Sequence, residues 1–279
     1  MSILLSGDFH ANARNEINSI TKKTLVKKYQ QEVFEKIKYH IILGDGGFMW
    51  PGNHKTDLFN YKVLAKRSFP ILCVVGNHEP ILGVNNAAEV DIGIGEKVLL
   101  VNDASPFVAY LKRGKIYTID GIRFLVLGGA LSIDKKLRKP NISWWESEYW
   151  SETEKQDLLK LLETENVFDC VLSHTGPDSI NRIVFRHFFE NLRSIHTPET
   201  GKLSDSGYAA ELVDHDRIKD EVACLNDKID AMIQCREWWC GHWHQDSYYY
   251  STETNRGYHY LYENTKILDK MNDKNGDAR

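Results

Sequence analysis

Two histidines one residue apart, His242 and His244, follow a glycine directly after the apolar run Trp238-Trp239-Cys240. In an extended segment, residues i and i+2 point to the same side, so both imidazoles could face one point. Imidazole is a common ligand for Zn, Fe, Mn and Ni. Two ligands do not complete a metal site, so the next question is which other side chains the chain brings to it.

Further metal-capable side chains recur at one kind of place, the point where a short apolar run stops. The runs are typical of buried strands and lie at residues 3–5, 41–43, 71–75 and 170–172. The side chains that follow them are Asp8, His10, Asp45, Asn77, His78 and His174. Because sites in open α/β sheets form at the carboxyl ends of strands, we expect these groups to converge. Glycines adjoin most of them and permit close approach to a ligand.

Each motif also has an ordinary structural interpretation. A glycine–aspartate pair after a strand is usually a plain turn, and a lone histidine there is more often a hydrogen-bonded structural residue. Cys235 and Cys240 with His242 and His244 could form a structural zinc site, but four ligands so close together do not match the paired spacing of such sites. The joint occurrence of the motifs, always at strand ends, favours a functional site.

The elements that must position these groups alternate between strand and helix in the first third of the chain. A helical period is predicted over residues 18–38 and a helix over 57–67, each followed by one of the strands. The later part is predicted to contain a hairpin at 115–128 turning at Asp120-Gly121, a helix opened by a capping box at Ser151 and Glu154, a long helix over 208–234, and hairpin strands at 248–250 and 258–262. This order is typical of an α/β fold.

Composition describes an ordinary globular chain of 279 residues with 42% hydrophobic and 27% charged residues. We expect one domain over residues 1–270 and a charged tail over 271–279. The net charge of −4 gives no bulk attraction to nucleic acid or to an anionic membrane. Five irregularly spaced cysteines favour a reducing compartment. Without a signal peptide or an apolar stretch near the ~20 residues of a membrane span, we expect a cytoplasmic protein with no membrane contact.

Five motifs in a fixed order carry a resemblance to a known family. They are Asp8-x-His10, Gly44-Asp45, Gly76-Asn77-His78-Glu79, Ser173-His174 and Gly241-His242-x-His244, and they span residues 7–244. This set resembles the calcineurin-like metallophosphoesterases. The resemblance implies an α/β fold, a four-layer α/β/β/α sandwich with a dinuclear metal site at the carboxyl-terminal ends of strands.

Position by position, the resemblance also implies a ligand set. One metal would be held by Asp8, His10, Asp45 and His244. Asp45 would bridge to a second metal, which Asn77, His174 and His242 would complete. His78 would face the substrate phosphate as an electrostatic stabiliser or a general acid, and Glu79 could orient it, so the expected catalytic residues are His78, Asp45 and Glu79.

The donor chemistry is consistent with that expectation. Imidazoles, carboxylates and one amide oxygen, with no thiolate, suit Mn²⁺, Fe or Zn²⁺. We favour two Mn²⁺ ions, with Fe, Zn²⁺ and Ni²⁺ as alternatives. Because only Asp8 and Asp45 are anionic, two divalent ions leave the site positive and attractive to phosphate. Two metals ~3.5–4 Å apart can clamp phosphoryl oxygens and activate a water. A cationic His78 would add help that is typically worth about 10²- to 10⁴-fold.

We therefore expect a metal-dependent phosphoester hydrolase, either a phosphatase or a phosphodiesterase. Its substrate would be a phosphoprotein, a nucleotide or a small phosphoester, and the motifs do not distinguish among these. A nuclease-type phosphodiesterase is an alternative, less favoured because the chain has no long basic run. A non-catalytic scaffold on the same fold is another, although a degenerate member would lack several ligands and here every position is filled.

Overall fold

Two β-sheets packed face to face form the centre of the molecule. The computed structural model describes residues 2–10, 20–48, 69–80, 87–102, 106–132, 135–187 and 220–269. Sheet A contains β1 (Ser2–Ser6), β2 (Ile37–Ile42), β3 (Ile71–Cys73), β4 (Ala88–Val90), β5 (Val98–Asn102), β6 (Val108–Tyr110) and β13 (Thr265–Asp269). Sheet B contains β7 (Lys115–Ile119), β8 (Ile122–Val126), β9 (Cys170–Leu172), β10 (Glu237–Cys240), β11 (Ser247–Ser251) and β12 (Arg256–Tyr260).

Each sheet has a parallel centre and antiparallel edges. The strand order of sheet A is β13-β1-β2-β3-β6-β5-β4, in which β1, β2, β3 and β6 run parallel. The order of sheet B is β11-β12-β10-β9-β8-β7, in which β12, β10, β9 and β8 run parallel. Parallel neighbours end on the same side, so the loops after β1, β2 and β3 share one edge, as do the loops after β9 and β10.

Helices cover the outer face of each sheet. The described helices are α1 (Lys22–Tyr29), α2 (Gln31–Phe34), α3 (Glu152–Leu162), α4 (Asp178–Val184) and α5 (Glu221–Met232). Leu25 of α1 and Phe34 of α2 pack in the apolar cluster on the outer face of sheet A. Leu158 of α3 and Ile229 of α5 pack in the corresponding cluster on sheet B.

A third apolar cluster fills the space between the sheets. On β1, Ile3 and Leu5 face this inner cluster while Leu4 faces the helices, because side chains alternate along a strand. On β10 the division is the same, with Trp239 inside and Trp238 outside. The layers are therefore helix, sheet, sheet, helix, which confirms the predicted four-layer α/β/β/α fold.

Several predicted local elements are confirmed. The hairpin of β7 and β8 turns at Asp120 and Gly121, which have φ values of 52° and 80° as a tight two-residue turn requires. Helix α3 opens with the predicted capping box, in which Ser151 and Glu154 bind each other's backbone N–H groups. The final hairpin is formed by β11 and β12.

All five cysteines are free thiols.

The helix predicted over residues 18–38 is wrong in its length. Helix α1 ends at Tyr29 because Gln30 adopts a φ of 72°, which no helix continues through. The short α2 follows, and Ile37, which lies within the predicted helical range, opens β2 instead. The third strand likewise ends earlier than predicted, at Cys73.

In the described part of the predicted helix over 208–234, helix α5 begins at Glu221. Asp220 is its N-cap and accepts hydrogen bonds from the backbone N–H groups of Val222 and Ala223. Residues 208–219, the predicted helix over 57–67 and the tail over 271–279 lie outside the described residues. Strand β13, which the sequence pattern did not reveal, adds residues up to Asp269 to the edge of sheet A.

Candidate metal centre

The site lies where the ends of five strands from both sheets meet. Asp8 and His10 follow β1, Asp45 follows β2, Asn77 and His78 follow β3, His174 follows β9, and His242 and His244 follow β10. Side chains from the two sheets contact each other in the site, since His174 Nε2 after β9 lies 3.4 Å from an oxygen of Asp45 after β2. The sheet packing therefore brings together side chains up to 236 positions apart in the chain.

Glycines make this close approach sterically feasible. A Cβ added to Gly44 would lie 2.0 Å from His174 Nδ1, and one added to Gly76 would lie 1.9 Å from Asp45 Oδ1. Gly44 also has a φ of 95°, a conformation that side chains disfavour. These two glycines are therefore needed so that the loops after β2 and β3 can pass the functional side chains.

One group of donor atoms forms around Asp8. Its Oδ2 lies 3.2 Å from His244 Nε2 and 3.8 Å from His10 Nε2. The two Nε2 atoms lie only 2.6 Å apart. Two imidazole nitrogens and a carboxylate at this separation need a cation or a shared proton between them, because the lone pairs otherwise repel.

A second group forms around His174, which is fully buried. Its Nδ1 lies 2.8 Å from the carbonyl oxygen of Leu43 and donates to it. In a neutral imidazole the other nitrogen then carries only a lone pair. That Nε2 faces two further acceptors, Asn77 Oδ1 at 2.9 Å and Asp45 Oδ2 at 3.4 Å. Three acceptors converging in a buried place fit a bound cation.

Asp45 lies between the two groups. Its Oδ2 is 3.8 Å from His10 Nδ1 and 3.7 Å from His78 Nε2, in addition to its contact with His174. Its Oδ1 accepts a hydrogen bond of 2.9 Å from the backbone N–H of His78. Three overlapping sets of potential ligands result, each with donor atoms within 4.8 Å of one another. This donor set fits divalent cations.

His242 and His244 do not extend the strand that precedes them. Their φ values are 68° and 49°, so the expectation that both rings face one point, as in an extended segment, is wrong. His244 lies with His10 and Asp8, whereas the ring centroid of His242 lies 5.0 Å from that of His174. The backbone N–H of His242 donates to the carboxylate of Asp8 at 2.9 Å.

Trp243, between these histidines, is half-buried. Its ring stacks on Phe185, with centroids 4.6 Å apart, and packs against the apolar cluster on the outer face of sheet B. The tryptophan thereby fixes the turn that separates the two imidazoles.

The ionisable side chains of the site strongly affect one another's pKa values. Burial alone would raise the pKa of Asp45, but His174, His78 and His10 hold that pKa well below its usual range. Burial would lower the pKa of His174, whereas Asp45, Asp8 and the Leu43 carbonyl raise it well above its usual range. Without a metal, the proton on His174 therefore supplies the positive charge that the converging acceptors need.

The expectation of a cationic His78 needs a correction. Burial and the neighbouring Arg138 outweigh the attraction of Asp45 and lower the pKa of His78 to about 4. At neutral pH the ring is therefore uncharged. The fixed positive charge beside it is the guanidinium of Arg138, whose Nη atoms lie 2.8 and 2.9 Å from the ring nitrogens.

Glu79 does not orient His78 through its side chain. The buried carboxylate accepts hydrogen bonds from the backbone N–H groups of Gly47 at 2.9 Å and Gly76 at 2.7 Å, and from the hydroxyl of Tyr110 at 2.5 Å. It thus joins the loops after β2 and β3 to β6. Its contribution to the site is the position of the loops that carry Asp45 and Asn77.

Two residues behind Asn77, Ser132 and Glu148, are not among the predicted site residues. Asn77 Nδ2 donates to Ser132 Oγ at 2.9 Å, and Ser132 Oγ donates to Glu148 Oε2 at 2.5 Å. Because Glu148 takes the hydroxyl proton, the serine can only accept from the amide, which turns Asn77 Oδ1 towards His174. The glycine-rich stretch 128–132 after β8 is the one sequence signal for this contact.

Comparison of the sequence with models of known protein families identifies the family of the chain. The model of calcineurin-like phosphoesterases matches residues 1–246, and the chain belongs to this family. Its members are generally hydrolytic phosphoesterases that bind divalent metals. No curated protein matches the chain. None of the described helices is long and apolar enough to span a membrane.

We expect Gly44→Ala to weaken metal binding at least about 10-fold, because its Cβ would overlap the ring of His174. Gly93→Ala is the matched control, since Gly93 also has a positive φ, 78°, but its Cβ would meet nothing within 4 Å. The control should lose only about 1–2 kcal/mol from backbone strain. Chelator competition and denaturant unfolding measure the two effects, and equal metal affinities in both variants would contradict the close-approach argument.

Ser132→Ala should lower the affinity for the metal near Asn77 about 10- to 100-fold, because the amide loses the group that orients it. Ser179→Ala, which removes a hydroxyl bonded to Asp227, is the control and should leave that affinity unchanged. Calorimetric titration of the metal-free protein with Mn²⁺ checks both. Unaltered binding in the Ser132 variant would show that Asn77 needs no such support.

Proposed function

We propose that this chain hydrolyses phosphoesters with a pair of divalent cations, favouring Mn²⁺, held at the junction of the two sheets. The observation that carries the proposal is the position of the Asp45 carboxylate between two groups of converging donor atoms. When bound, two such cations polarise phosphoryl oxygens and acidify a water for attack at phosphorus. The substrate would be a phosphoprotein, a nucleotide or a small phosphoester.

The two donor groups suggest how the cations would be shared. One would be held by Asp8, His10, Asp45 and His244. The other would be held by Asp45, Asn77, His174 and His242. The proposal is supported by the 3.2 Å contact of Asp8 with His244 and by the three acceptors that meet at His174 Nε2. A single domain over residues 1–270 would carry the whole site.

Exposure distinguishes an inner and an outer side of the site. The side chains of Asp8, Asp45 and His174 are sealed, at 0–1% exposure, whereas those of His10, His78 and His244 are 25%, 21% and 48% exposed. Substrate therefore approaches from the side of the three exposed histidines. The inner residues would anchor the cations, where they are shielded from competing solvent.

His78 lies on this outer side and is the residue proposed to contact substrate directly. Its backbone N–H is fixed by Asp45 and its ring lies between Asp45 and Arg138. As a neutral imidazole it has one N–H to donate, either to a phosphoryl oxygen or to the leaving oxygen. Glu79 supports it only through the loop that both residues share.

We expect the Mn²⁺-loaded protein to hydrolyse p-nitrophenyl phosphate or its bis-ester, and a chelator to abolish the reaction. Asp45→Asn should lose at least about 100-fold in kcat/KM and release metal, because one carboxylate serves both donor groups. Asp91→Asn, at an exposed loop carboxylate, is the control and should behave as wild type. Metal-loaded protein that is inert towards both esters, nucleotides and phosphopeptides would instead indicate a non-catalytic scaffold.

His78→Ala should keep both cations and lose about 10²- to 10⁴-fold in kcat, because the ring acts on the substrate and not on the metals. Metal content by elemental analysis and steady-state rates of the same sample separate the two effects. An unchanged kcat would rule out the role proposed for His78, and loss of metal would make it a ligand.

A further inference from the structure

The connection between β8 and α3 spans residues 127–151, and its described residues, 127–132 and 135–151, contact the site at Asn77 and His78. None of the five sequence motifs lies in it. Ser132 near its start contacts Asn77, and Arg138 further along contacts His78. This connection therefore reaches the two residues that follow β3, one from behind and one from the substrate side.

Arg138 is held against the ring of His78. Its Nη1 lies 2.8 Å from Nδ1 and its Nη2 lies 2.9 Å from Nε2, while Nη1 also donates to the carbonyl oxygen of Ser143 at 3.2 Å. A neutral imidazole has one acceptor nitrogen, so at most one of the ring contacts is a hydrogen bond. One hydrogen bond is enough to orient the ring of His78. The second short contact of the guanidinium is therefore not required for that orientation.

The backbone around Arg138 is fixed in advance by two turns. A 3₁₀ helix, Lys135–Leu137, precedes it, and the N–H of Arg138 donates to the carbonyl of Lys135 at 3.0 Å. On the other side, the Lys139 carbonyl accepts from Ser143 N–H at 2.9 Å, and Lys139 N–H donates to Ser143 Oγ at 2.9 Å. A guanidinium presented from such a frame loses little further entropy on binding a ligand.

The position of Arg138 also relates it to the proposed reaction centre. The same Nε2 atom of His78 lies 2.9 Å from Arg138 and 3.7 Å from Asp45. A phosphate that contacts His78 from the outer side would thus have a permanent cation directly beside it. A guanidinium carries its N–H donors in a planar fork that matches two phosphate oxygens.

We propose that Arg138 binds the phosphate group of the substrate and selects phosphomonoester dianions over phosphodiesters. The proposal rests on the function proposed above and names the substrate class for the same site. A monoester offers three non-bridging oxygens, so an oxygen remains for Arg138 when the metals hold the others. A diester offers two and carries one negative charge fewer, so it gains less from a further cation.

The test compares kcat/KM for p-nitrophenyl phosphate and for its bis-ester in Mn²⁺-loaded wild type and variants. Arg138→Met should lower the value for the monoester about 10- to 100-fold, chiefly through KM, since a hydrogen-bonded charge pair is lost. The value for the diester should change less than about 3-fold. Arg138→Lys, which keeps the charge but not the fork, should fall between. Lys135→Met, a cation on the same connection that lies 3.9 Å over the Trp144 ring, is the control and should leave both esters unaffected.

Binding of inorganic phosphate gives a second readout that does not depend on turnover. Titration of Mn²⁺-loaded protein should show phosphate binding weakened about 10-fold in Arg138→Met, with metal content unchanged. If wild type is inert towards both esters but binds phosphate in this Arg138-dependent way, the proposed hydrolysis is wrong and the phosphate site stands.

The opposite results would overturn the proposal. Equal losses on both esters would exclude selection between them, and unchanged phosphate affinity would exclude the binding role. Loss of metal together with activity would make Arg138 a structural support of His78. If Arg138→Met does not fold, Arg138→Lys provides the same comparisons in a variant that retains the charge.

Discussion

The carboxylate of Asp45 is the group on which the arrangement of the site depends. It is buried, and a buried carboxylate is costly unless it is paired and hydrogen-bonded. Its side chain meets His10, His78 and His174, and its own carbonyl oxygen accepts the N–H groups of Phe9 and His10 at 3.1 and 2.7 Å. One residue thereby ties the loop after β2 to the loops after β1, β3 and β9. Removing it would leave imidazoles facing each other and three loops without their common partner.

Asp8 has the same double function on the other side of the site. Its carboxylate faces His244 and His10, and it also accepts the backbone N–H of His242 at 2.9 Å, which holds the turn after β10. The buried carboxylate of Glu79 accepts hydrogen bonds from the backbone of two loops and from Tyr110 of β6. Asp8 and Asp45 are thus structural as well as chemical, because the carboxylates that could hold cations also fix backbone N–H groups. A metal would strengthen an arrangement that the loops already prepare.

Much of this could be predicted from the sequence, because strand ends are local signals. Apolar runs that stop at Asp8, Asp45, Asn77 and His174 identify both the strands and the candidate donors. The left-handed backbone of Gln30 could not be read in this way, and neither could β13, which is a strand only because β1 offers it an unpaired edge. Ser132, Arg138 and Glu148 were missed as site residues for a related reason. They lie in a connection without a hydrophobic period. The contacts of Ser132 with Asn77 and of Arg138 with His78 span 55 and 60 positions of sequence, and Glu148 acts only through Ser132.

The site has two parts, which come from different elements of the fold and therefore differ in how easily their residues can change position. The sealed groups Asp8, Asp45 and His174 come from loops that leave buried parallel strands directly, so their positions are set by the packing of the two sheets. Arg138 comes from a connection of about 25 residues between β8 and α3 that touches the site at its outer side. A change in that connection can alter what the exposed histidines meet without moving a strand. Ser132 limits this freedom, because its hydrogen bond with Asn77 anchors the same connection. A change on the substrate side of the site can therefore also shift the Asn77 amide, which faces the metal side.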